Sequence, residues 1–470
     1  MTGHFSRDPR IEQSLRHSVR DGVAYSIMAG SGESFFAAYA LLLKASAAHV
    51  SMLAALPSLL GSVSQLVSAF AGRYVARRKT LMLVGVTIQL ASWLPIIWLP
   101  YFFPQHALAI LIGAVAVYFA GFHLASPMWS SLMGDLVPEA RRGRFFARRT
   151  RLMSITAFAA MLAAGSLLHY FEIAGETRVG FMLIFTLAAL ARGYSLYQLT
   201  RMHEPAYHRP SFALPPLAQL LPRMRHSPFA RFSVFFALFN LSVAITSPLF
   251  AVYMLRDLNF TYLEYTASTG VSVMMQFVTL GIWGRMTDSF GNRLVLAATG
   301  MLIPVLPALW LVSGNFGYIL LLQMAGGLCW AGFSLAAGNY LYDTVVPEKR
   351  AAYLAVHHVL SNSGIFLGAL LGGFLASILP AGFTLAGHSW QWTSSLWAVM
   401  LTSALVRGVI AMAFLPQLTE VRRVRPLGPL GVFSRILYVR SLRAAWLRWD
   451  RSRARARLLR PTVLPSTGPG

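Results

Sequence analysis

Glu33 is the residue in this 470-residue chain best placed to do chemistry. It lies near the middle of a long apolar run, directly after Gly30-Ser31-Gly32. Gly22, Ser26 and Ala29 precede it at helical spacing, a stripe of small residues suited to facing a cavity. Holding a charged carboxyl at a bilayer centre costs at least about 2.5 kcal/mol on insertion scales. A carboxyl kept there is therefore a candidate proton carrier or solute contact; a structural hydrogen bond or ion pair to another helix is the alternative. His123 leads a second stripe, with Pro127, Ser130 and Gly134, that lines either a cavity or a hydrogen-bonded packing face. Further polar candidates inside apolar runs are Asn240, Gln276, Asn339, His357, His358 and Asn362. Each suits a polar solute, and each could instead satisfy a neighbouring backbone group.

Other chemistry finds no constellation. There is no Gly-rich phosphate loop followed by Lys and Ser/Thr, and no His/Cys set at metal-ligand spacing, so no catalytic residue, cofactor or metal is expected and the chain is not read as an enzyme. Cys329 is the one cysteine, so no intrachain disulfide can form, and its place in an apolar run suits a small packed hydrophobe.

The elements that must position these residues are membrane spans. With 56% apolar and 12% charged residues, the chain has about half the charged content of a soluble protein. Runs of spanning length fall at roughly 22–44, 48–71, 80–102, 107–134, 152–172, 179–199, 232–256, 263–283, 294–314, 317–343, 351–379 and 392–416, each near the 20 residues that cross a bilayer. The fold class predicted is an all-α membrane protein of twelve transmembrane helices. Of the 40 Lys and Arg, 35 fall in the N-terminal segment, alternate connections and the C-terminal tail. Basic residues near span ends stay on the cytoplasmic side, which places both termini in the cytoplasm. Arg192 and Arg407 lie inside runs about two turns from the cytoplasmic ends, near enough to snorkel, and their matched placement suggests a structural role in each half.

A Pro-rich connection separates the sixth and seventh runs, and the sequence repeats across it. Val137-Pro138-Glu139-x-Arg141 recurs as Val346-Pro347-Glu348-x-Arg350. Gly72-Arg73 recurs as Gly284-Arg285, and Ala189-Leu190-x-Arg192-Gly193 as Ala404-Leu405-x-Arg407-Gly408. The offsets stay between 209 and 215, which points to an internal duplication into two pseudo-symmetric six-helix halves. The expected organisation is a cytoplasmic segment 1–20, a first half 21–199, a linker 200–231, a second half 232–416 and an Arg-rich tail 417–470.

Gly284-Arg-Met-Thr-Asp288-Ser-Phe-Gly291-Asn-Arg293 resembles the Gly-x-x-x-Asp-x-x-Gly-x-Arg/Lys signature loop of the major facilitator superfamily, and the resemblance spans about residues 20–416. In that spacing Gly284 lets two helices approach and Gly291 permits a tight turn. Asp288 can accept from donors at a neighbouring helix end while pairing with a basic side chain. The first-half counterpart keeps Gly72, Arg73 and Arg77, with Ala76 where the family has Asp. Asp135, Glu139, Arg141 and Arg142 resemble the family's acidic, Arg-rich loop between spans 4 and 5, and Asp343, Glu348 and Arg350 repeat it. The resemblance implies that these loops are gates that latch the cytoplasmic side, and that the protein is a bacterial-type secondary transporter in the inner membrane. The expected solute is small and organic, with protons as coupling ion. An exporter or flippase of amphiphiles, or a non-transporting sensor or scaffold on the same fold, are the alternatives. Gly364, Gly368 and Gly372 recur every four residues, as a close helix contact requires.

The net charge of +24 would suggest nucleic acid in a soluble protein. Here its placement is topogenic, and no nucleic-acid partner is expected. The region 421–470 carries 12 Arg against Asp450, a segment suited to anionic lipid. A monomer is the expected working unit.

Overall fold

A computed structural model describes residues 5–6, 8–72, 74–75, 77–138, 141–205, 227–345, 350–380, 382–385, 388–392 and 394–421. Two sets of helices stand side by side. The first comprises α1 (Pro9–Ser31), α2 (Phe36–Leu42), α3 (Ala47–Ala71), α4 (Arg78–Ala91), α5 (Trp93–Phe102), α6 (Ala107–Leu136), α7 (Arg142–Ile173) and α8 (Thr177–Thr200). The second comprises α9 (Pro228–Ala244), α10 (Leu249–Val252), α11 (Tyr262–Phe290), α12 (Asn292–Leu302), α13 (Val305–Leu309), α14 (Phe316–Asp343), α15 (Arg350–Ile378) and α16 (Leu396–Phe414). Among the described residues ten helical stretches are long and apolar enough to cross a membrane. The protein is a multi-pass membrane protein. α1 and α11, helices of 23 and 29 residues, fall outside those ten; in α1 the first turns carry Arg10, Glu12, Arg16, Arg20 and Asp21.

Local sequence sets where helices begin and break. Asp8 caps α1 by accepting from the Arg10 amide, and Pro9 occupies the first helical position, where its missing N–H costs nothing. Ser46 with His49, and Thr261 with Glu264, form reciprocal capping boxes for α3 and α11. Several runs expected to be single helices are broken. α1 already begins at Pro9, so residues 9–20 are its first three turns, and it stops at Gly32. Pro95 takes the donor that would continue α4 into α5, Pro248 ends α9 at Ala244, and Pro304 separates α12 from α13. A short antiparallel hairpin, Gly382–Leu385 with His388–Gln391, joins α15 to α16; its residues carry no apolar run, and periodicity did not reveal it.

The two sets share an apolar core at one end, and a small cluster of Ala55, Ala244 and Ala369 continues that contact between them. A single apolar cluster containing Phe36, Tyr39, Trp93 and Phe185 continues into Leu249, Tyr253, Trp310 and Met400. At the opposite end, where α1 begins and α8 finishes, one cluster stays within the first set (Leu15, Met82, Leu132, Phe145, Leu199) and another within the second (Phe229, Trp283, Phe333, Leu415). The joined end is sealed by small residues: Gly373 of α15 packs on Ala48 and Ser51 of α3, and Gly165 of α7 packs on Thr266 of α11. Within the second set, Cβ atoms placed at Gly364, Gly368 and Gly372 would overlap the carbonyl oxygens of Ala237, Leu241 and Ile245, so α15 lies directly on the α9 backbone.

Candidate functional site

The break after α1 builds the site. A Cβ at Gly32 would overlap the Trp93 ring, so only glycine lets α1 come this close to α5. The chain then makes a single 3-10 turn, Glu33–Phe35, which sets Glu33 at the wall of a cavity of about 340 Å³. Glu33 Oε2 accepts from the Tyr118 hydroxyl at 3.1 Å. Tyr118 is wholly buried, with Phe36 and Trp93 edge-on to its ring, so the donor is held rigidly by packing. The cavity is bounded by α6 through Phe119 and His123, by α3 through Pro57 and Ser58, and by the second helix set through Pro248 and Asn362. It therefore lies between the two sets. Gly61 lies against the His123 imidazole, where a side chain would overlap the ring.

Glu33, His123 and Asn362 are thus the sequence candidates that meet in one cavity. The others do not line it. His357 is buried, pairs through Nδ1 with Ser233 Oγ at 3.1 Å and stacks on Phe232, which makes it part of the second set's packing. His358 is exposed, and Asn240 donates to the Phe236 carbonyl of its own helix at 2.8 Å. Gln276 and Asn339 are half-buried on α11 and α14.

The charged loops form paired contacts at matching places in the two sets. Arg78, at the start of α4, pairs with Asp135 at the end of α6 at 2.6 Å; Asn292, at the start of α12, donates to Asp343 at the end of α14 at 2.7 Å. The next backbone amide is capped in each case by a glutamate beyond the last helix of the set: Lys79 N–H donates to Glu204 at 3.0 Å and Arg293 N–H to Glu420 at 2.9 Å. A carboxylate at a helix N-terminus satisfies an orphan donor and the dipole together. Gly291 turns the chain with φ +92°, a conformation that favours glycine. Gly72 packs on Met128, Arg77 precedes α4 in extended backbone, and Arg142 Nη2 donates to the Gly134 carbonyl at 2.8 Å.

Two expectations for these loops need correction. Asp288 is exposed, and the helix-end donor expected for it is taken by Glu420 instead. Gly284 does not serve close approach here, because a Cβ at that position would meet nothing within 4 Å. Arg73, Ala76, Glu139 and Glu348 lie outside the described residues, as do most of the linker and tail and the side chain of Arg350.

Residues 232–461 match the family model described as Major Facilitator Superfamily. The chain is 26% identical over 148 residues to Quinolone resistance protein NorA of Staphylococcus aureus (strain MRSA252), a match covering 31% of this chain and 37% of that protein. It thus spans about 37% of the length of the curated relatives it matches. Among solved structures it is similar to nucleoside transporter NupG, with TM-score 0.63 and 14% identity, covering 88% of this chain and 100% of that one. A bacterial homologue of iron transporter ferroportin in inward-facing state gives TM-score 0.67 at 14% identity, covering 88% and 100%. The second helix set thus matches the major facilitator superfamily in sequence, and the chain as a whole shares the fold of these solved structures.

On this fold lies a second polar cluster that sequence reading missed. Asp21 of α1 is buried and pairs with buried Arg149 of α7 at 3.2 Å, while Ser195 of α8 donates to its other oxygen at 2.7 Å. Arg192 donates to Ser195 at 2.8 Å and to Gln89 of α4 at 2.5 Å. Arg192 and Arg407 do not snorkel. They are 4% and 3% exposed, and Arg407 donates to the Val243 carbonyl and the Thr246 hydroxyl at 3.1 and 2.6 Å. A bundle that supplies these acceptors inside removes the reason for an arginine to reach the interface. The signal for Asp21 and Arg149 was faint, since one sits at the edge of an apolar run and the other among five further arginines between 141 and 151.

Proposed function

We propose that this protein is a secondary transporter that carries a small organic solute across a bacterial inner membrane by alternating access. In this reading twelve spans form two six-helix halves: α1 and α11 complete the set of spans, and both termini are cytoplasmic. The joined end is then exterior and closed, and the end with two separate cores is cytoplasmic and open. The exposed Asp288, which has no side-chain partner among the described residues, suits that state, because the signature loop latches the cytoplasmic side only when the exterior opens. The observation that carries the reading is the position of Glu33: a carboxyl bonded to buried Tyr118 at the wall of a cavity between the two sets, beneath the shared core. Protons are the coupling ion in this scheme, and Glu33, with His123 and Asn362 across the cavity, is the group that binds them or the solute. The Arg78, Asp135, Asn292, Asp343, Lys79, Glu204, Arg293 and Glu420 contacts keep each half rigid as it rocks.

Purified protein in liposomes tests this. A thermal-shift screen identifies a solute, since a ligand stabilises what it binds. Solute-dependent proton flux is expected, and Glu33→Gln should abolish it. Undiminished, fully gradient-dependent transport by that variant would end the proton-carrier role. Similarity to Quinolone resistance protein NorA favours a second reading, export of amphiphilic compounds. Inside-out vesicles separate the two: an exporter accumulates solute in them when energised, and an importer depletes it.

A further inference from the structure

We propose that a second cavity, of about 230 Å³ within the first helix set, binds organic monoanions carrying a flat aromatic ring, and that these are the solute class of the transporter proposed above, the reading on which this inference rests.

The first argument is charge. Arg149 and Arg192 both line this cavity, and Asp21 is the one carboxylate there. Arg149 pairs with it directly, whereas Arg192 spends its two Nη groups on the neutral side chains of Ser195 and Gln89, and its Nε is buried without an acceptor. On this cavity wall two buried guanidinium groups face one carboxylate; Glu33, the next carboxyl within reach of the Arg192 charge, is turned to Tyr118 at the other cavity. Buried charges persist when they are paired, and a bound anion supplies the missing partner. Arg149 gives Nε to the Ser18 carbonyl and Nη2 to Asp21, which leaves its Nη1 for a ligand.

The second argument is shape. The Arg149 guanidinium lies 4.5 Å over the Trp129 ring and that of Arg192 5.3 Å over Tyr25, while Tyr25 stacks on Phe122 at 5.8 Å with planes 22° apart. Cations and aromatic faces alternate around the space. This arrangement offers a carboxylate its fork and a ring its slot. A space of this size suits one ring with its acid group.

The third argument comes from the duplication. Applying the offset of 209 that relates residue 137 to 346, Arg149 corresponds to His358, which is exposed, and the second set answers Arg192 with Arg407 held by neutral acceptors. A charge pair needed merely to hold a six-helix half together would be expected in both halves. The Asp21–Arg149 pair belongs to one.

Benzoate and its neutral isostere benzamide, titrated onto the purified full-length protein in detergent by calorimetry, test the proposal. Saturable benzoate binding is expected, with benzamide at least about tenfold weaker, as loss of a charge-assisted hydrogen bond dictates. The charge-neutral double variant Asp21→Asn with Arg149→Gln, its folding checked by a cooperative melt, should lose benzoate binding, and Arg149→Lys should retain part of it. Absence of saturable benzoate binding, equal binding of benzamide, or wild-type affinity in a folded double variant would overturn the site. The wild-type comparison needs no variant to fold. Because binding is read at equilibrium without a gradient, failure here leaves the transport assay untouched. Conversely, benzoate binding with no flux of any solute would count against the transport reading alone.

Discussion

If the joined end is the closed gate, fixing it shut should stop transport in proportion to the fraction fixed. Ser51 of α3 and Gly373 of α15 meet there: a Cβ at Gly373 would stand 2.8 Å from the Ser51 Cβ. Disulfides place Cβ atoms about 3.5–4.5 Å apart, so Ser51→Cys with Gly373→Cys needs the helices to part by about 1 Å. Gly165→Cys with Thr266→Cys forms a second such pair, with 2.6 Å between Cβ positions. The background is favourable because Cys329, the one native cysteine, is buried. Oxidation should cross-link both pairs in the resting protein, read as loss of thiol labelling by mass spectrometry. Flux should then follow the competent fraction: about nine-tenths cross-linked leaves about one-tenth of the rate, and reductant restores it. Full flux from cross-linked protein would show that this end need not open. Failure of either pair to oxidise would show that the helices are not seated as described.

Three other perturbations follow from particular contacts. Gly368→Val drives a branched side chain into the Leu241 carbonyl and should cost about 1–3 kcal/mol, seen as a lowered melting temperature, whereas Gly338→Ala, which meets open space, should leave it unchanged. Glu420→Ala removes the acceptor for the Arg293 amide; the expected loss is about 0.5–2 kcal/mol, with faster hydrogen exchange in the first turn of α12 than in α14. Asp21→Asn leaves Arg149 buried without its carboxylate and should destabilise by about 3–5 kcal/mol in denaturant melts, while adding Arg149→Gln should recover much of that loss. Additive losses in the double variant would mean that the two side chains do not interact.

Legibility in the sequence tracked how local each cause was. Run lengths located the helices because a bilayer imposes its thickness on any span, and Glu33 stood out because a carboxyl in such a run is costly wherever its neighbours lie. The Gly364, Gly368 and Gly372 stripe was equally readable, since a four-residue period is a property of one helix. Partners were not. Glu204 and Glu420 cap helices 125 and 127 residues away, and nothing in the local sequence says which donor a glutamate after a helix will find. Asp288 failed for the same reason: its type and spacing suited a helix-end acceptor, but Glu420 already occupied the donor. Asp21 and Arg149 were not singled out, because one-dimensional position cannot separate a charge at a helix end from one folded inward beside it.

The two buried arginines of the sequence repeat share a position and differ in what surrounds them. Arg192 and Arg407 occupy the same place in the repeat, and both are withdrawn from lipid, so the position itself belongs to the scaffold. Their surroundings have diverged. Arg407 is satisfied by the Val243 carbonyl and by Thr246, which fixes it to α9 and leaves nothing for a ligand to do. Arg192 is held by Gln89 and by Ser195, which also donates to Asp21, beside a cavity, with one nitrogen still unpaired. A scaffold arginine that costs stability in both halves can thus be neutralised by the fold in one and reserved for a solute in the other. On that view the asymmetry between the halves, more than their resemblance, is where substrate choice resides: exchanging the Arg192 surroundings for those of Arg407 should stabilise the protein and weaken its hold on anions together.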